Sequence, residues 1–310
     1  MSLNVVIFSG GVGGSKLVQG FYLNESFESL IVIGNTGDDV EMHGLWISPD
    51  LDIVMYTLAE LVDEMKGWGR SDETFDCMAA MGKLGEKTWF NLGDKDLAVH
   101  IIRTKMMREG KSLTEITRYF SKLLGIKADI IPATDQRIQT KILTPKGLMN
   151  FQEFYVRERC NPEIIKFFFE GEDSAKPSDE ALSAIAHADI LIFAPSNPIA
   201  SIGPILAVRG IREAIAASRS KKIAVSPLVG GKSLKGPSDK MMLAAGYEPD
   251  AAGVADYYKG LIDAIVIDKE DRERSDRLEL DGLKVKVTDT IMNSKGDKKR
   301  LAEELIKFVI

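Results

Sequence analysis

The strongest constraint on the fold comes from the start of the chain, where the apolar residues 4–8 (NVVIF) run directly into residues 9–16 (SGGVGGSK). A helical pattern with apolar residues on one face follows, and strand, glycine turn and helix in this order begin an α/β unit. Glycines have no Cβ, so their backbone N–H groups can approach a phosphate closely, and the next helix adds the positive end of its dipole. We therefore expect a phosphate-binding loop, with a tight turn that binds nothing as the alternative. The candidates are Gly10, Gly11, Gly13, Gly14, Ser15 and Lys16.

Four later apolar runs, at residues 30–34, 189–194, 222–226 and 264–268, also lead into Gly, Asn, Asp, Ser or Pro. Such strands, alternating with helices, are typical of an α/β protein with a Rossmann-like, doubly wound and mainly parallel sheet. We expect residues 1–61 and 188–310 to form this nucleotide-binding core. Residues 62–187 contain several helical patterns and a turn signal at 144–147 between two short strands. We expect them to form a helix-rich insertion, with a small β region, that closes the site.

Acidic residues are concentrated directly after the second apolar run, with five carboxylates in the fifteen positions from 38 to 52. Carboxylate oxygens are the ligands that Mg²⁺ prefers, usually one or two per ion together with oxygens of the substrate phosphate. Asp38, Asp39 and Asp50 are the candidate metal ligands. A solvated turn is the alternative for Asp38 and Asp39, and helix capping is the alternative for Asp50 or Asp52.

Two further loops offer donors for an anion. Ser196 and Asn197 follow the most apolar run of the chain, and Gly230 lies in the loop after the next run. Hydroxyl, amide and backbone N–H groups all bind phosphate oxygens. Side by side, the two loops would form one anion-binding crevice, and two unrelated loops are the alternative.

Two histidines have candidate roles. His43 follows the acidic loop and is a candidate for substrate contact. His100 has Asp96 four positions before it and Arg103 three positions after it on a predicted helix. It could act as a general base, but bonding to its own helix neighbours is the favoured interpretation.

The composition excludes several classes of protein. The 310 residues include 46 acidic and 40 basic ones, for a net charge of −6, so we expect no binding to nucleic acid, which needs a clustered basic surface. Cys77 and Cys160 form no CxxC pair, which favours reduced thiols and a cytoplasmic protein. No apolar run reaches the roughly 20 residues of a membrane span, so we expect no membrane association.

With these segments in view, the chain resembles the 2-phospho-L-lactate transferase family of coenzyme F-420 biosynthesis. The resemblance runs from Val6 almost to the C-terminus. The segments that carry it include FSGGVGGSKLVQG, NTGDD, HGLWISPDLD, GWGRSDETF, LGDKDLAVHIIRT, FQEFYVRER and APSNPIASIGPILAV.

The resemblance implies a Rossmann-like, Mg²⁺-dependent enzyme that is a homodimer. Its donor would be a three-carbon acid activated by guanosine diphosphate, in lactyl, enolpyruvyl or glyceryl form, and the segments GVGG and GWGRSDET favour the enolpyruvyl form. Its acceptor would be the ribityl hydroxyl of 7,8-didemethyl-8-hydroxy-5-deazariboflavin, and GMP would be released. The glycine-rich loop, Ser196, Asn197 and Gly230 would then bind the donor. Asp50 and Asp52 would be catalytic, and the acceptor site would involve Asp52, Asn91, Asp94, Lys95 and His43.

The main alternative is a non-catalytic regulator that binds a sugar nucleotide. A related family of such regulators resembles this chain in the first strand and around Ser196-Asn197-Pro198. The acidic stretch from Asp38 to Asp52 and the segment LGDKDLAVH favour the transferase.

Overall fold

The computed structural model of the protein describes residues 3–24 and 27–309. The strands are β1 (Asn4–Ser9), β2 (Ser29–Gly34), β3 (Val40–Met42), β4 (Leu45–Ile47), β5 (Asp129–Pro132), β6 (Gln139–Thr144), β7 (Gly147–Asn150), β8 (Lys166–Glu170), β9 (Ile190–Phe193), β10 (Lys221–Val225), β11 (Leu228–Val229), β12 (Lys232–Ser233), β13 (Ala264–Asp268) and β14 (Lys284–Thr288). The helices are α1 (Gly11–Tyr22), α2 (Pro49–Leu58), α3 (Asp76–Lys83), α4 (Asp94–Arg108), α5 (Leu113–Leu123), α6 (Asp179–His187), α7 (Gly203–Ala207), α8 (Ile211–Ala217), α9 (Ser238–Ala244), α10 (Ala251–Tyr257), α11 (Ser275–Leu280) and α12 (Lys295–Val309). Short π-helical turns cover Glu153–Arg157 and Pro198–Ile202, and a 3₁₀ helix covers Lys269–Arg274.

Seven strands form one central sheet in the order β14-β13-β10-β9-β1-β2-β5. Every neighbouring pair in it is parallel. The chain moves outward from β1 through β2 to β5, then returns to β9 and moves outward on the other side. The winding therefore reverses between β1 and β9, where ligands of such sheets bind at the carboxyl ends of the strands. The expected Rossmann-like, doubly wound parallel sheet is confirmed.

The central strands are apolar on both faces because helices cover both. Alternate residues of β1 point to opposite sides: Val6 and Phe8 pack into one buried cluster, and Val5 and Ile7 pack into the other. This explains why the sequence of β1 shows a continuous apolar run rather than an alternating pattern.

The stretch 62–187 contains α3, α4 and α5 and a three-stranded antiparallel sheet in the order β7-β6-β8. The turn signal at 144–147 belongs to the hairpin that joins β6 and β7. The same stretch also supplies β5, which pairs with β2 and forms one edge of the central sheet. It is therefore interleaved with the core at that edge, and its division from the core as a separate unit stays a prediction.

Two expectations drawn from the composition can be compared with the structure. Both cysteines are free, Cys77 on the surface and Cys160 half-buried. Within residues 3–24 and 27–309, no helix has the length and apolar character needed to cross a membrane.

The C-terminal helix α12 packs tightly on α1. A Cβ built at Gly20 of α1 would lie only 2.1 Å from the backbone oxygen of Lys298 in α12. The Lys298 Nζ donates to Gln19 Oε1 at 2.6 Å, so a buried polar contact joins the same two helices. The close approach therefore depends on the missing side chain at position 20.

We expect Gly20→Ala to lower the free energy of unfolding by about 1–3 kcal/mol, because the new methyl group forces α1 and α12 apart. Urea unfolding followed by circular dichroism measures the change. Gly82→Ala in α3 is the matched control, because its Cβ would lie 3.5 Å from the nearest side-chain atom, an ordinary contact. Alanine there is neutral or stabilising through helix propensity. Equal stability of the two variants would contradict the proposed close packing.

Candidate active site

The loops that follow β1, β2 and β9 meet at the point where the winding of the sheet reverses. The Ser196 hydroxyl donates to the Gly10 carbonyl at 2.7 Å and accepts from the Gly10 N–H at 3.2 Å. Asn35, at the end of β2, donates to the Ala200 carbonyl at 3.2 Å and to Asp50 Oδ2 at 2.8 Å. The structure thus brings together the glycine-rich loop, the acidic segment and the loop after β9.

The glycines of the first loop allow close packing around the carboxylate of Asp50. A Cβ at Gly10 would lie 2.5 Å from Asp50 Oδ2, and one at Gly13 would lie 2.3 Å from the Pro195 carbonyl. Gly11, with φ +63°, begins α1 in a conformation that favours glycine. The loop therefore fits against its neighbours only without side chains at positions 10 and 13, and glycine at position 11 is favoured by its backbone conformation.

The other predicted donor-binding residues have defined partners. The Ser15 hydroxyl donates to the Val12 carbonyl at 3.0 Å, and Lys16 Nζ donates to the Met292 carbonyl at 2.8 Å. Lys16 therefore ties α1 to the segment before α12. The Asn197 side chain accepts from the N–H groups of residues 199 and 200 and so caps the turn Pro198–Ile202. The Gly230 N–H donates to Asp271 Oδ2 at 3.1 Å.

Three buried carboxylates, Asp38, Asp39 and Asp50, lie beside this loop. Asp39 Oδ2 accepts from Trp46 Nε1 at 3.0 Å and from Ser48 Oγ at 2.7 Å. The remaining oxygen of Asp39, Oδ1, and Oδ1 of Asp38 are buried without a hydrogen-bond partner. Buried polar atoms in native proteins are nearly always bonded, so two orphaned oxygens on adjacent residues indicate a missing cation or donor.

Burial raises the pKa of these carboxyl groups. It raises the pKa of Asp39 to about 8 and that of Asp50 to about 6. The pKa of Asp38 lies well above its usual value through burial and through the neighbouring charges of Asp50 and Asp39. A divalent cation would relieve both effects, and the hard oxygen donors suit Mg²⁺. Asp38, Asp39 and Asp50 do not have ligand atoms that all lie within 4.8 Å of one another. One or two of these carboxylates, completed by oxygens of a substrate phosphate, therefore fit a magnesium site.

Neither Asp50 nor Asp52 is the cap of α2. The N-cap position is Ser48, and both aspartates lie in the first turn of the helix, where a negative charge is favourable. The capping alternative therefore does not account for either carboxylate.

Asp52 belongs to a second buried network. Both of its oxygens accept from the guanidinium of Arg103, which also lies 3.1 Å from His100 Nδ1. His100 Nε2 lies 3.4 Å from Asp96, and the Tyr56 hydroxyl donates to Asp96 at 2.5 Å. The ligand atoms of Asp52, Asp96 and His100 are close enough together to hold a metal ion. Because the Arg103 guanidinium already binds Asp52, however, this cluster contains its own cation.

The predicted acceptor residues Asp94 and Lys95 hold two segments together. Asp94 accepts from the Thr74 hydroxyl at 2.6 Å and from the N–H groups of residues 76 and 77, which begin α3. Lys95 Nζ donates to the Asp72 carbonyl. In return, Glu73 accepts from the N–H groups of residues 95 and 96 at the start of α4. These contacts fix the segment 72–77 to α4.

Asn91 and His43, the other predicted acceptor residues, are less constrained. Asn91 is exposed and has no hydrogen-bond partner among the described residues. His43 has φ +53°, its Nδ1 lies 3.7 Å from Glu86, and its Nε2 is buried without a partner. A backbone in the left-handed region and an unpaired ring nitrogen are features often found where a ligand binds.

Sequence reasoning missed several residues that shape the site. Asn35 is part of NTGDD, and its place at a strand end was a usable signal. Gln139 donates to the Asp39 carbonyl at 3.0 Å, and Gln152 donates to the Asp38 carbonyl at 3.4 Å. These two glutamines lie 100 and 114 positions from their partners, and no local pattern marks them.

Comparison with known proteins decides the family to which this chain belongs. The sequence model of the family described as 2-phospho-L-lactate transferase CofD matches residues 5–306. The chain belongs to the 2-phospho-L-lactate transferase family. A relative in this family, the 2-phospho-L-lactate transferase of Methanocaldococcus jannaschii, is 38% identical over 308 residues, which cover 98% of this chain and 97% of the relative. The phosphoenolpyruvate transferase of Streptomyces coelicolor is 37% identical over 310 residues, with 98% and 97% covered.

A solved structure has the same fold as this transferase-family chain. The UPF0052 family protein of Bacillus halodurans superimposes with a TM-score of 0.67 and covers 99% of both chains. Its sequence is 18% identical, so the likeness concerns the fold alone.

The buried carboxylates predict a pH dependence of stability in the metal-free protein. The pKa of Asp39 is raised from 3.8 to about 8, so between these pH values the folded protein keeps a proton that the unfolded chain has lost. The free energy of unfolding therefore falls as the pH rises through this window, by up to about 1.4 kcal/mol per pH unit for one group. Urea unfolding in EDTA between about pH 5 and 8 measures the slope.

Asp39→Asn removes this titrating group, and we expect a smaller slope with higher stability near pH 8. Asp129→Asn is the control, because Asp129 is exposed at the amino end of β5. An unchanged slope in Asp39→Asn would show that Asp39 does not hold the extra proton.

The buried ion pair predicts a large effect of Arg103→Met. The side chains of Arg103 and Asp52 are 1% and 5% exposed, so removing the guanidinium leaves an uncompensated buried charge. We expect a loss of about 3–5 kcal/mol in the free energy of unfolding, partly recovered in the double variant Arg103→Met/Asp52→Asn. The control is Arg118→Met, because the side chains of Arg118 and its partner Glu180 are 55% and 49% exposed. That change costs less than about 1 kcal/mol, and equal losses in the two single variants would contradict this assignment.

Proposed function

We propose that this protein is the Mg²⁺-dependent transferase of coenzyme F-420 biosynthesis. It takes a phospholactyl or enolpyruvyl-phosphate group from a three-carbon acid activated by guanosine diphosphate. It transfers that group to the ribityl hydroxyl of 7,8-didemethyl-8-hydroxy-5-deazariboflavin and releases GMP. The observation that carries the proposal is the set of buried, partly unpaired carboxylates beside a glycine-rich loop, in a chain that belongs to this family from residue 5 to residue 306.

The reaction needs positioning of the two substrates and neutralisation of negative charge, and residues of the candidate active site would supply both. A phosphoryl-linked group moves from one oxygen to another, so the reaction depends on in-line positioning and on neutralising negative charge. Asp38 and Asp39, each with an unpaired oxygen, would hold Mg²⁺ together with oxygens of the donor diphosphate, which leaves Asp50 for the acceptor hydroxyl. When bound, the ion neutralises charge on the diphosphate. The N–H groups of the glycine-rich loop at the start of α1, with Ser196 beside them, would bind the donor phosphates.

Asp50 is the better of the two predicted catalytic aspartates. Both oxygens of Asp52 are engaged by Arg103, whereas Asp50 is held by Asn35 and lies against the glycine-rich loop. Burial raises the pKa of Asp50 to about 6, which suits a group that accepts a proton near neutral pH. Asp50 would accept the proton of the ribityl hydroxyl. The hydroxyl oxygen would form a bond to the phosphorus that carries the three-carbon acid, and the bond from that phosphorus to GMP would break. Asp52 would position the start of α2 through its pair with Arg103.

The donor's acid stays open between lactyl and enolpyruvyl. Relatives named 2-phospho-L-lactate transferase and relatives named phosphoenolpyruvate transferase have nearly the same identity to this chain, 38% and 37% for the two described above. Assaying both GDP-linked acids with the same acceptor, by the rate of GMP release, decides between them.

The experiment that tests the proposal is a fluorescence titration of the protein with the deazariboflavin, with and without GDP and Mg²⁺. Saturable binding that strengthens with GDP and Mg²⁺ supports the transferase. If the deazariboflavin does not bind and a uridine diphosphate sugar raises the melting temperature, the protein belongs with the sugar-nucleotide-binding regulators instead.

We expect Asp39→Asn to lower kcat by at least about 100-fold while the protein stays folded. The rate falls because the metal site loses a ligand. The protein stays folded because the carboxyl group that is replaced is buried and has a raised pKa, so its charge does not stabilise the metal-free fold. Steady-state GMP release over a range of Mg²⁺ concentrations gives the rate and the apparent Mg²⁺ affinity. Asp129→Asn again serves as the control carboxylate and keeps wild-type kinetics. A wild-type Mg²⁺ dependence in Asp39→Asn would remove Asp39 from the metal site.

A further inference from the structure

A cavity of about 520 Å³ opens between the π-helical turn Glu153–Arg157 and the start of α9. The residues that line it are Tyr155, Arg159, Cys160, Gly236, Pro237, Asp239 and Lys240. Its wall includes the Tyr155 ring, which is stacked on Phe151 with ring centroids 5.6 Å apart and an angle of 14° between the planes.

Both sides of this cavity are attached to the candidate active site. On one side, Gln152 donates to the Asp38 carbonyl at 3.4 Å, three residues before Tyr155. On the other side, the Asn197 side chain donates to Met241 Sδ at 3.4 Å, one residue after Lys240. Burial, then the charges of Cys160 and Asp50, raise the pKa of Tyr155, so Asp50 lies within electrostatic range of the wall. The two segments that line the cavity therefore also contact the acidic segment and the loop after β9.

Two of the three charged groups that line the cavity are already held by the protein. Lys240 Nζ donates to the carbonyls of residues 160, 161 and 162 at 2.7, 3.2 and 2.8 Å. The carboxylate of Asp239 accepts from the Ser233 hydroxyl at 3.1 Å. These contacts fix the shape of the cavity and leave Arg159 as the cation available to a ligand.

Arg159 differs from its neighbours in both contacts and backbone. It is exposed, and within the described residues it has neither a hydrogen-bond partner nor an ion-pair partner. Arg159 and Cys160 have φ of +53° and +58°, two consecutive left-handed residues that are not glycine. Such a conformation is strained for residues other than glycine and is concentrated at ligand-binding segments.

We propose that Arg159 binds the carboxylate of the donor's three-carbon acid in this cavity; the assignment rests on the proposed transferase function. Phospholactate and phosphoenolpyruvate both carry a carboxylate on the carbon that bears the phosphate oxygen. A donor whose diphosphate is held beside Asp50 therefore places that carboxylate close to the reacting phosphorus. The planar guanidinium of Arg159 binds a carboxylate through two parallel hydrogen bonds, which neither Lys240 nor the backbone can supply here.

The test compares two GDP derivatives that differ in one group. The first carries lactate, attached through its hydroxyl oxygen to the terminal phosphate. The second carries isopropanol attached in the same way, so that a methyl group replaces the carboxylate. Isothermal titration with Mg²⁺ and without acceptor measures the affinity of each. The proteins are the wild type, Arg159→Gln, Arg159→Lys and the control Arg219→Gln. Arg219 is exposed just before β10, at the opposite end of the sheet.

We expect the wild type and Arg219→Gln to prefer the lactyl ester about 10- to 100-fold, the usual effect of a hydrogen-bonded charged group. Arg159→Gln abolishes this preference and leaves the affinity for the isopropyl ester unchanged. Arg159→Lys, which keeps the charge but not the planar fork, retains part of it.

Other outcomes overturn the proposal in different ways. If Arg159→Gln keeps the wild-type preference, another group binds the carboxylate, while the transferase function still stands. If Arg159→Gln weakens both esters equally, Arg159 binds the diphosphate or supports the fold. If the wild type binds neither ester nor GDP, the proposed function itself fails, and the role of Arg159 fails with it.

Discussion

The burial of Asp38, Asp39 and Asp50 at the reversal of the sheet is the constraint on which the rest of the site depends. Three carboxyl groups away from water repel one another and hold on to protons unless a cation or donors compensate. The protein supplies only part of that compensation, through Asn35, Trp46 and Ser48. Oδ1 of Asp38 and Oδ1 of Asp39 are left without a partner, and these are the oxygens to which we propose that Mg²⁺ binds.

In a second buried network, the negative charge of an aspartate is balanced by a cation of the protein itself. Asp52 lies two positions after Asp50, yet its oxygens are matched by the guanidinium of Arg103. Through His100, Asp96 and Tyr56 this network connects α2 with α4, and Glu73 and Asp94 connect α4 with the segment 72–77. Carboxylates whose oxygens are hydrogen-bonded or ion-paired thus join the helical layer to the core. Carboxylates with an unpaired oxygen remain where a ligand would lie.

The sequence predicted the fold well because its signals are local. Apolar runs that end in glycine or a polar residue mark parallel strands, and the bounds of β13 agree with the expected residues 264–268. The prediction was incomplete where local pattern and tertiary context differ. The charged strand β14 was not expected, and α3 begins only at Asp76, although the sequence from residue 72 to residue 81 has a helical pattern. There the Asp72 carbonyl and the Glu73 side chain contact α4 instead of extending α3. The interleaving of β5 with the core also had no local signal, because strand order is a tertiary property.

The sequence by itself determined the class of the fold, the family and the set of polar residues at the strand ends. Each of these depends on residue type and on spacing along the chain. Only the tertiary structure decided which carboxylate is paired with a cation, because Asp50 and Asp52 both lie in the first turn of α2. Their difference comes from Arg103, about fifty positions away, whose helix packs against one aspartate and not the other. Whether a buried charge is balanced depends on neighbours brought together by folding, which spacing along the chain does not reveal.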